Sequence, residues 1–127
     1  MLYLSKAQKE KLIEHSKRDA PYEACGILAG LAGKVEKVYP MTNAKKARDV
    51  FLMDPPEQFR VMKEMRKSGV EMVGIYHSHP ETDAYPSAHD VEMACYPNIS
   101  YVIVSLKQGN KPLPLRSFRI TGGRISE

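Results

Sequence analysis

The segment MVGIYHSHP, residues 72–80, decides the fold and points to the chemistry of this chain. Residues 72–76 are apolar throughout, which predicts a buried β-strand. Two histidines two positions apart lie on one side of the chain only when it is extended, with side-chain origins roughly 7 Å apart. Pro80 favours that conformation at His79, because the residue before proline avoids the helical region. His77 and His79 are therefore predicted to form a two-pronged ligand pair for a metal ion.

A third metal ligand is expected in the segment that follows this strand. A tetrahedral catalytic zinc site has three protein ligands and one open position. Ser87 and Asp90 precede a predicted helix over residues 91–95, and two roles are open to them. In one, both form a capping box that satisfies backbone donors. In the other, one turn of helix directs Asp90 back toward the histidines. The two roles are compatible for Ser87, which opens the same turn.

The remaining patterns predict a single domain over residues 1–127. One helix begins at the Ser5 capping box and ends before Pro21, and a second runs from the Asp54 N-cap to the Gly69 C-cap. Strands interleaved with helices indicate an α/β or α+β fold, with a mixed central sheet flanked by helices. The predicted strands cover residues 24–30, 35–39, 50–53, 72–76, 100–106 and 113–120, and the predicted turns cover residues 33–34, 108–110 and 122–123.

The patterns of the helices also predict which of their side chains are buried. The first is largely polar and is expected on the surface, together with His15. The second places Phe59, Met62 and Met65 on one apolar face, where the two methionines are expected to fill the core. His89 is expected to be exposed and to have no catalytic role.

The composition excludes several classes of protein. With 127 residues and 43% of them apolar, the chain is long enough to form one core without disulfides. No run approaches the roughly 18 apolar residues of a membrane span, and charge appears too early for a signal-peptide core, so a cytoplasmic protein is expected. Cys25 and Cys95 are expected to be small buried thiols that form no bridge and have no catalytic or ligand role.

The charge pattern argues against a nucleic-acid partner. Nineteen basic side chains against 15 acidic ones give a net charge of +4. The basic groups have acidic neighbours and are not interleaved with aromatic residues, as a single-strand binding surface requires. These basic groups are interpreted as lying on solvent-exposed faces of the protein. An acidic protein partner is left open as an alternative.

Taken together, the two motifs resemble the signature of the JAMM, or MPN-plus, zinc metalloproteases. His77-x-His79-Pro80 is followed after six residues by Ser87-x-x-Asp90. The segment PYEACGILAG, residues 21–30, is similar to the upstream glutamate motif of that family. The resemblance spans most of the chain. It implies the MPN/JAMM-type fold, which is cytidine-deaminase-like, in its compact stand-alone prokaryotic form.

The resemblance assigns His77, His79 and Asp90 to one zinc ion per chain. Chemistry agrees, since such a site leaves a position for a water whose pKa falls toward about 7 and which becomes the nucleophile. Glu23, at the matching place in the upstream motif, would accept the proton of this water and deliver it to the departing amine. The alternative is a surface glutamate before a strand.

Ser87 and Ser78 complete the implied site. Ser87 would donate a hydrogen bond to the oxyanion of the tetrahedral intermediate. Ser78 lies on the opposite face of the strand from the histidines and is expected to support them through hydrogen bonds, with a substrate contact left open.

The resemblance implies hydrolysis of the bond after the C-terminal Gly-Gly of a ubiquitin-like modifier or sulfur-carrier protein, with a lysine or a free amino acid as the leaving group. Two other functions are weighed against this isopeptidase. A non-catalytic MPN-type scaffold is disfavoured by the intact motif. A zinc hydrolase of another bond, such as a phosphoester, is disfavoured by the lack of a phosphate-binding glycine loop. The sequence leaves the oligomeric state open, a homodimer included.

Overall fold

The computed structural model describes residues 2–107 and 115–127, which form a six-stranded sheet with helices on its two faces. Along the sheet the strand order is β2-β1-β3-β4-β5-β6. Strands β3 and β4 pair in parallel and all other neighbours are antiparallel, so the predicted mixed sheet is confirmed. The elements are α1 (Lys6–Asp19), β1 (Cys25–Leu31), β2 (Lys34–Met41), α2 (Pro55–Ser68), β3 (Glu71–His79), α3 (Ala88–Met93), β4 (Ser100–Ser105), β5 (Leu115–Thr121) and β6 (Arg124–Ser126).

Strand β3 supplies side chains to a core on each face of the sheet. Ile75 packs in one core with Met65 of α2, whereas Tyr76 packs in the other with Leu12 of α1. This alternation follows from the two-residue period of an extended chain. Gly26 lies opposite Tyr76 in the β1–β3 pair, and a Cβ there would approach the Tyr76 ring to 2.2 Å. Because Gly26 has no side chain, the ring of Tyr76 has room to be fully buried between the strands and α1.

The predicted helix signals begin and end α1 and α2. The Ser5 hydroxyl accepts a hydrogen bond from the backbone N–H of Gln8 at 3.0 Å, and the Gln8 side chain accepts one from the N–H of Ser5 at 2.8 Å. Asp54 caps α2 ahead of two prolines, and Gly69 ends it with φ of 72°, in the left-handed region that favours glycine.

The predicted strand at residues 50–53 is wrong. In the described part of the chain these residues join no strand of the sheet, and Met53 forms an isolated bridge with Asn43. The reason is local, because the Asn43 side chain binds the carbonyl of Val50 and the N–H of Leu52, which a sheet neighbour would otherwise bind.

Several element boundaries also differ from the predictions. The turn after β1 consists of Ala32 and Gly33, with φ of 52° and 79°, so Lys34 already belongs to β2. Helix α3 begins at residue 88 because Ser87 caps it, and strand β3 continues to residue 79. The predicted turn at 122–123 leads into β6, a strand too short to give a pattern. The predicted turn at 108–110 and the start of the predicted strand at 113–120 lie outside the described residues.

Two helical side chains differ from their predicted burial. His15 is 4% exposed, because its Nδ1 lies 2.7 Å from the hydroxyl of Tyr76 on the sheet. Phe59 is 67% exposed and lies under the Lys63 ammonium, whereas Met62 and Met65 face the core as predicted. The apolar face of α2 is therefore narrower than its sequence indicates.

The two cysteines have different surroundings. Cys25 is buried in β1 as predicted, but Cys95 is exposed, because it follows the end of α3 and does not pack under it. Across residues 2–107 and 115–127, no helix is long and apolar enough to cross a membrane.

Candidate metal centre and active site

Three side-chain atoms meet at the carboxyl end of β3. The Nε2 atoms of His77 and His79 are 3.2 Å apart, and Asp90 Oδ2 lies 3.2 Å from the first and 3.0 Å from the second. All three side chains are at least 95% buried, with exposures of 3%, 4% and 5%. Ligand atoms of a tetrahedral zinc ion with bonds of about 2.0–2.1 Å lie about 3.3 Å apart. The triangle therefore has the size of a three-ligand zinc site.

The proton positions on His79 support the same interpretation. Its Nδ1 lies 2.8 Å from the carbonyl oxygen of Asp83, which can only accept, so Nδ1 carries a hydrogen. In the neutral form of the ring, this leaves the lone pair of Nε2 directed at the carboxylate of Asp90 and the ring of His77. Three electron-rich atoms at these distances repel one another unless a positive charge lies among them. The donor set therefore fits a metal ion.

The electrostatics of the triangle favour the ligand-ready forms of His77 and Asp90, whereas against the effect of burial the contacts with Asp90 and Asp83 raise the pKa of His79. Burial lowers the pKa of His77, which favours the neutral imidazole. Burial would raise the pKa of Asp90, but its contacts with the two histidines hold it well below its usual range, so the carboxylate is ionised.

Strand pairing brings Glu23 to this site. The register of β1 and β3 pairs Cys25 with His77. Just beyond β1, the N–H of Ala24 donates to the Ser78 hydroxyl at 2.7 Å and the N–H of Ser78 donates to the Ala24 carbonyl at 3.0 Å. The carboxylate of Glu23 consequently comes within 4.8 Å of the ligand atoms of both histidines. Ser78 therefore holds the segment of Glu23, and among the described residues its hydroxyl bonds to Ala24 and not to the histidines that it was predicted to support.

The carboxyl group of Glu23 is unusual for a glutamate. It is 2% exposed, and among the described residues nothing hydrogen-bonds to its Oε1. Burial raises its pKa to about 8, against the attraction of His79. A buried carboxyl with a free oxygen, close to the triangle of His77, His79 and Asp90, can bind a small polar group such as water.

Ser87 and Asp90 form the capping box, and Asp90 also faces the histidines, so both of the roles that the sequence left open are present. The Ser87 hydroxyl accepts from the N–H of Asp90 at 3.1 Å, and Asp90 Oδ2 accepts from the N–H of Ser87 at 2.9 Å. This same oxygen is the atom that faces the histidines. The capping box therefore fixes the direction of the Asp90 carboxylate.

Cavities of opposite character flank the triangle. One of about 220 Å³ has largely apolar walls and touches His77, Asp90 and the exposed His89, while another of about 520 Å³ is lined by polar and charged residues. The apolar walls include Phe51, Met53, Met93 and Tyr96, and the polar walls include Glu23, Arg48, His79 and Ser87.

Sequence reasoning missed two residues beside the site, Asn43 and Phe51. The ring of Phe51 stacks on that of His77, with centroids 4.9 Å apart and planes at 28°. Asn43 is 5% exposed and its Nδ2 donates to the carbonyl of Glu23 at 3.0 Å. The composition around Asn43 is typical of a turn and indicates only a loop. No periodic pattern in that segment marks Asn43 as a residue of the site.

The comparison with known proteins covers most of the chain. Residues 5–121 match the model of the family described as prokaryotic homologs of the JAB domain. A CysO-cysteine peptidase of Mycobacterium tuberculosis is 42% identical over 118 residues, which are 91% of this chain and 80% of the relative. A desampylase of Haloferax volcanii is 36% identical over 111 residues, covering 82% of this chain and 80% of the relative.

Solved structures give the same result. The solution structure of a protein from Desulfitobacterium hafniense is 42% identical, with a TM-score of 0.87 over 99% of this chain and 88% of that one. A JAB1/MPN domain protein from Archaeoglobus fulgidus has a TM-score of 0.60 at 18% identity, over 93% of this chain and 88% of that one. The second likeness concerns the fold alone, and it confirms the predicted MPN-type architecture.

Proposed function

Since the chain belongs to the prokaryotic homologues of the JAB domain, a branch of the JAMM hydrolases, we propose that it is a zinc-dependent isopeptidase or peptidase. Its substrate is a ubiquitin-like or sulfur-carrier protein, cleaved after a C-terminal Gly-Gly. The observation that carries the proposal is the triangle of His77, His79 and Asp90 beside the buried carboxyl of Glu23. The names of the relatives, a peptidase of a CysO-cysteine adduct and a desampylase, support the substrate class.

His77, His79 and Asp90 would hold the zinc ion, one per chain. When bound there, zinc supplies Lewis acidity for the scissile carbonyl and lowers the pKa of a water molecule. Asp83 keeps His79 in the tautomer that leaves Nε2 free for the metal. The capping box at Ser87 keeps the carboxylate of Asp90 directed at both histidines.

Glu23 would move the proton that hydrolysis requires. As the water oxygen bonds to the carbonyl carbon, Glu23 accepts one proton from the water, and it delivers this proton to the nitrogen as the carbon–nitrogen bond breaks. The free Oε1 suits a group that must accept a proton and hold it between the two transfers.

Ser87 would stabilise the developing oxyanion. Its oxygen accepts a hydrogen bond from the N–H of Asp90, so its own hydrogen is free to be donated. The hydroxyl lines the polar cavity together with Glu23 and His79, where a scissile carbonyl has access to all three.

The charge and the cysteines of the chain support the proposed substrate class and place of action. The net charge of +4 suits an acidic carrier protein. Both Cys25 and Cys95 are free thiols, which suits the cytoplasm that we propose as the place of action.

The test is hydrolysis of ubiquitin-like fusions that end in Gly-Gly before a peptide or lysine adduct, with products identified by mass spectrometry. The wild type is expected to bind about one zinc per chain. Glu23→Gln is expected to keep zinc and fold while its kcat falls by about 10²- to 10⁴-fold. Glu36→Gln, on the exposed side of β2, is the matched control and should retain wild-type kcat.

Three results would contradict parts of the proposal. A wild type that binds no added zinc would remove the metal site. Full activity of Glu23→Gln would remove Glu23 from the mechanism. Equal rates on fusions with bulky residues in place of Gly-Gly would remove the proposed substrate preference.

A further inference from the structure

The side chain of Asn43 joins Glu23 to the loop that follows β2. Its Nδ2 donates to the carbonyl oxygens of Glu23 at 3.0 Å and of Val50 at 3.1 Å. Its Oδ1 accepts from the N–H groups of Lys45 at 3.0 Å and of Leu52 at 3.1 Å. An amide offers two donor hydrogens and two acceptor lone pairs, and here all four are used. Asn43 therefore fixes two chain segments relative to each other from a buried position.

One of these segments carries Phe51. Asn43 binds Val50 and Leu52, the residues on either side of Phe51, so the backbone of Phe51 is held on both flanks. The carbonyl of Leu52 also accepts from the N–H of Ala44 at 2.7 Å. The ring so placed stacks on His77 at 4.9 Å.

The other segment carries Glu23. Its N–H donates to the carbonyl of Ala47 at 2.8 Å, and its carbonyl accepts from Asn43. Both backbone polar groups of Glu23 are thus held by the same loop, residues 43–52. Asn43 therefore contacts both segments. It binds the carbonyl of Glu23 directly, and it holds the backbone on either side of Phe51, whose ring stacks on His77.

We propose that Asn43 is a positioning residue that sets the carboxyl of Glu23 relative to the metal ligand His77. The inference rests on the proposed function, which gives Glu23 and His77 their roles. Asn43 itself touches no reacting atom. It acts through Glu23 on the proton transfer and through Phe51 on the metal ligand.

The expected effect is a loss of turnover. A displacement of about 1 Å in a catalytic group costs about 100-fold in rate, so Asn43→Ala is expected to lower kcat on a Gly-Gly fusion by about that factor. KM is expected to change by less than about threefold, because no substrate contact is removed. Zinc affinity, measured by competition with a chelator, is expected to fall by about tenfold through the loss of support for His77.

A double-mutant cycle with Glu23→Gln separates positioning from a general loss of stability. If Asn43 acts through Glu23, adding Asn43→Ala to Glu23→Gln changes the remaining kcat by less than about threefold. In the same way, Asn43→Ala should weaken zinc binding by less than about threefold in the Phe51→Leu background. Where Asn43→Ala does not fold, Asn43→Asp takes its place, because it keeps the shape and replaces the two donor hydrogens with an acceptor.

The matched control is Tyr76→Phe, which removes a buried hydrogen bond to His15 on the other face of the sheet. It is expected to lower stability and leave kcat within about threefold of wild type. The proposal is overturned if Asn43→Ala keeps wild-type kcat, or if its effect is as large in Glu23→Gln as in the wild type. A wild type that neither binds zinc nor cleaves the fusion would overturn the proposed function itself.

Discussion

Helices α1 and α3 begin with the same local motif and use it differently. In both, a serine hydroxyl accepts from the N–H three residues on, and the side chain there accepts from the serine N–H. At α1 that side chain is Gln8, whose Nε2 also donates to the carbonyl of Val35 at 2.9 Å. At α3 it is Asp90, whose oxygen also faces His77 and His79.

The comparison shows that the hydrogen-bond geometry of a capping box does not reveal whether the motif has a function beyond starting the helix. The bonds in the two boxes are of similar length, 2.8 and 3.0 Å against 2.9 and 3.1 Å. What differs is the charge of the side chain at the third helical position and the group that this side chain faces. A neutral amide joins the helix to β2, whereas a carboxylate completes a cluster of electron-rich atoms.

The largest effect is expected at Asp90. Asp90→Asn keeps an oxygen for the N–H of Ser87 but removes the charge, so the helix should form while zinc affinity falls by more than about 100-fold and hydrolysis is lost. Zinc competition titration and turnover measure the two effects. The reverse change at α1, Gln8→Glu, places a carboxylate at the same motif position and should create no zinc binding. Wild-type zinc affinity in Asp90→Asn would show that the carboxylate is not a ligand.

A smaller, selective effect is expected at Ser87. Ser87→Ala removes an oxyanion donor, so kcat should fall by about 10²- to 10³-fold while zinc remains bound. The lost N-cap should also lower the free energy of unfolding by about 1 kcal/mol. Ser87→Thr keeps the hydroxyl and should restore most of the turnover. An alanine variant with unchanged kcat would reduce Ser87 to a capping residue.

The smallest effect is expected at Ser5. Ser5→Ala removes the same kind of cap and should lower the free energy of unfolding by about 1 kcal/mol, measured by urea denaturation. Turnover should stay within about twofold of wild type, because α1 contributes no group to the site. A fall in kcat comparable to that of Ser87→Ala would mean that the two motifs do not differ in function.

The features that could be predicted from the sequence are those with local causes. The Asp54 cap and the two prolines after it define the start of α2, and Gly69 defines its end. The ligand triangle is local too, since an extended chain sets the spacing of His77 and His79, and one helical turn directs Asp90. The mixed sheet followed from the alternation of strands and helices.

The features that could not be predicted depend on distant partners. His15 is buried because of Tyr76, which is 61 positions away, and nothing in the α1 pattern indicates that contact. Asn43 binds Glu23 across 20 positions and takes the hydrogen bonds that a strand at residues 50–53 would have needed. Polar side chains that replace sheet hydrogen bonds have no period, so hydrophobic patterning does not detect them.

The separation of the site residues along the chain has a consequence for assembly. The proposed metal ligands all lie within residues 77–90, so bringing them together closes a short loop at little entropic cost. The contact of Ala24 with Ser78, which brings Glu23 to the site, joins residues 54 positions apart. Such distant pairings form late in folding, because a long loop must be closed before any contact repays the loss of entropy. On the proposed roles, the metal site therefore assembles first, and the proton-transfer group joins it only when the central strands have paired.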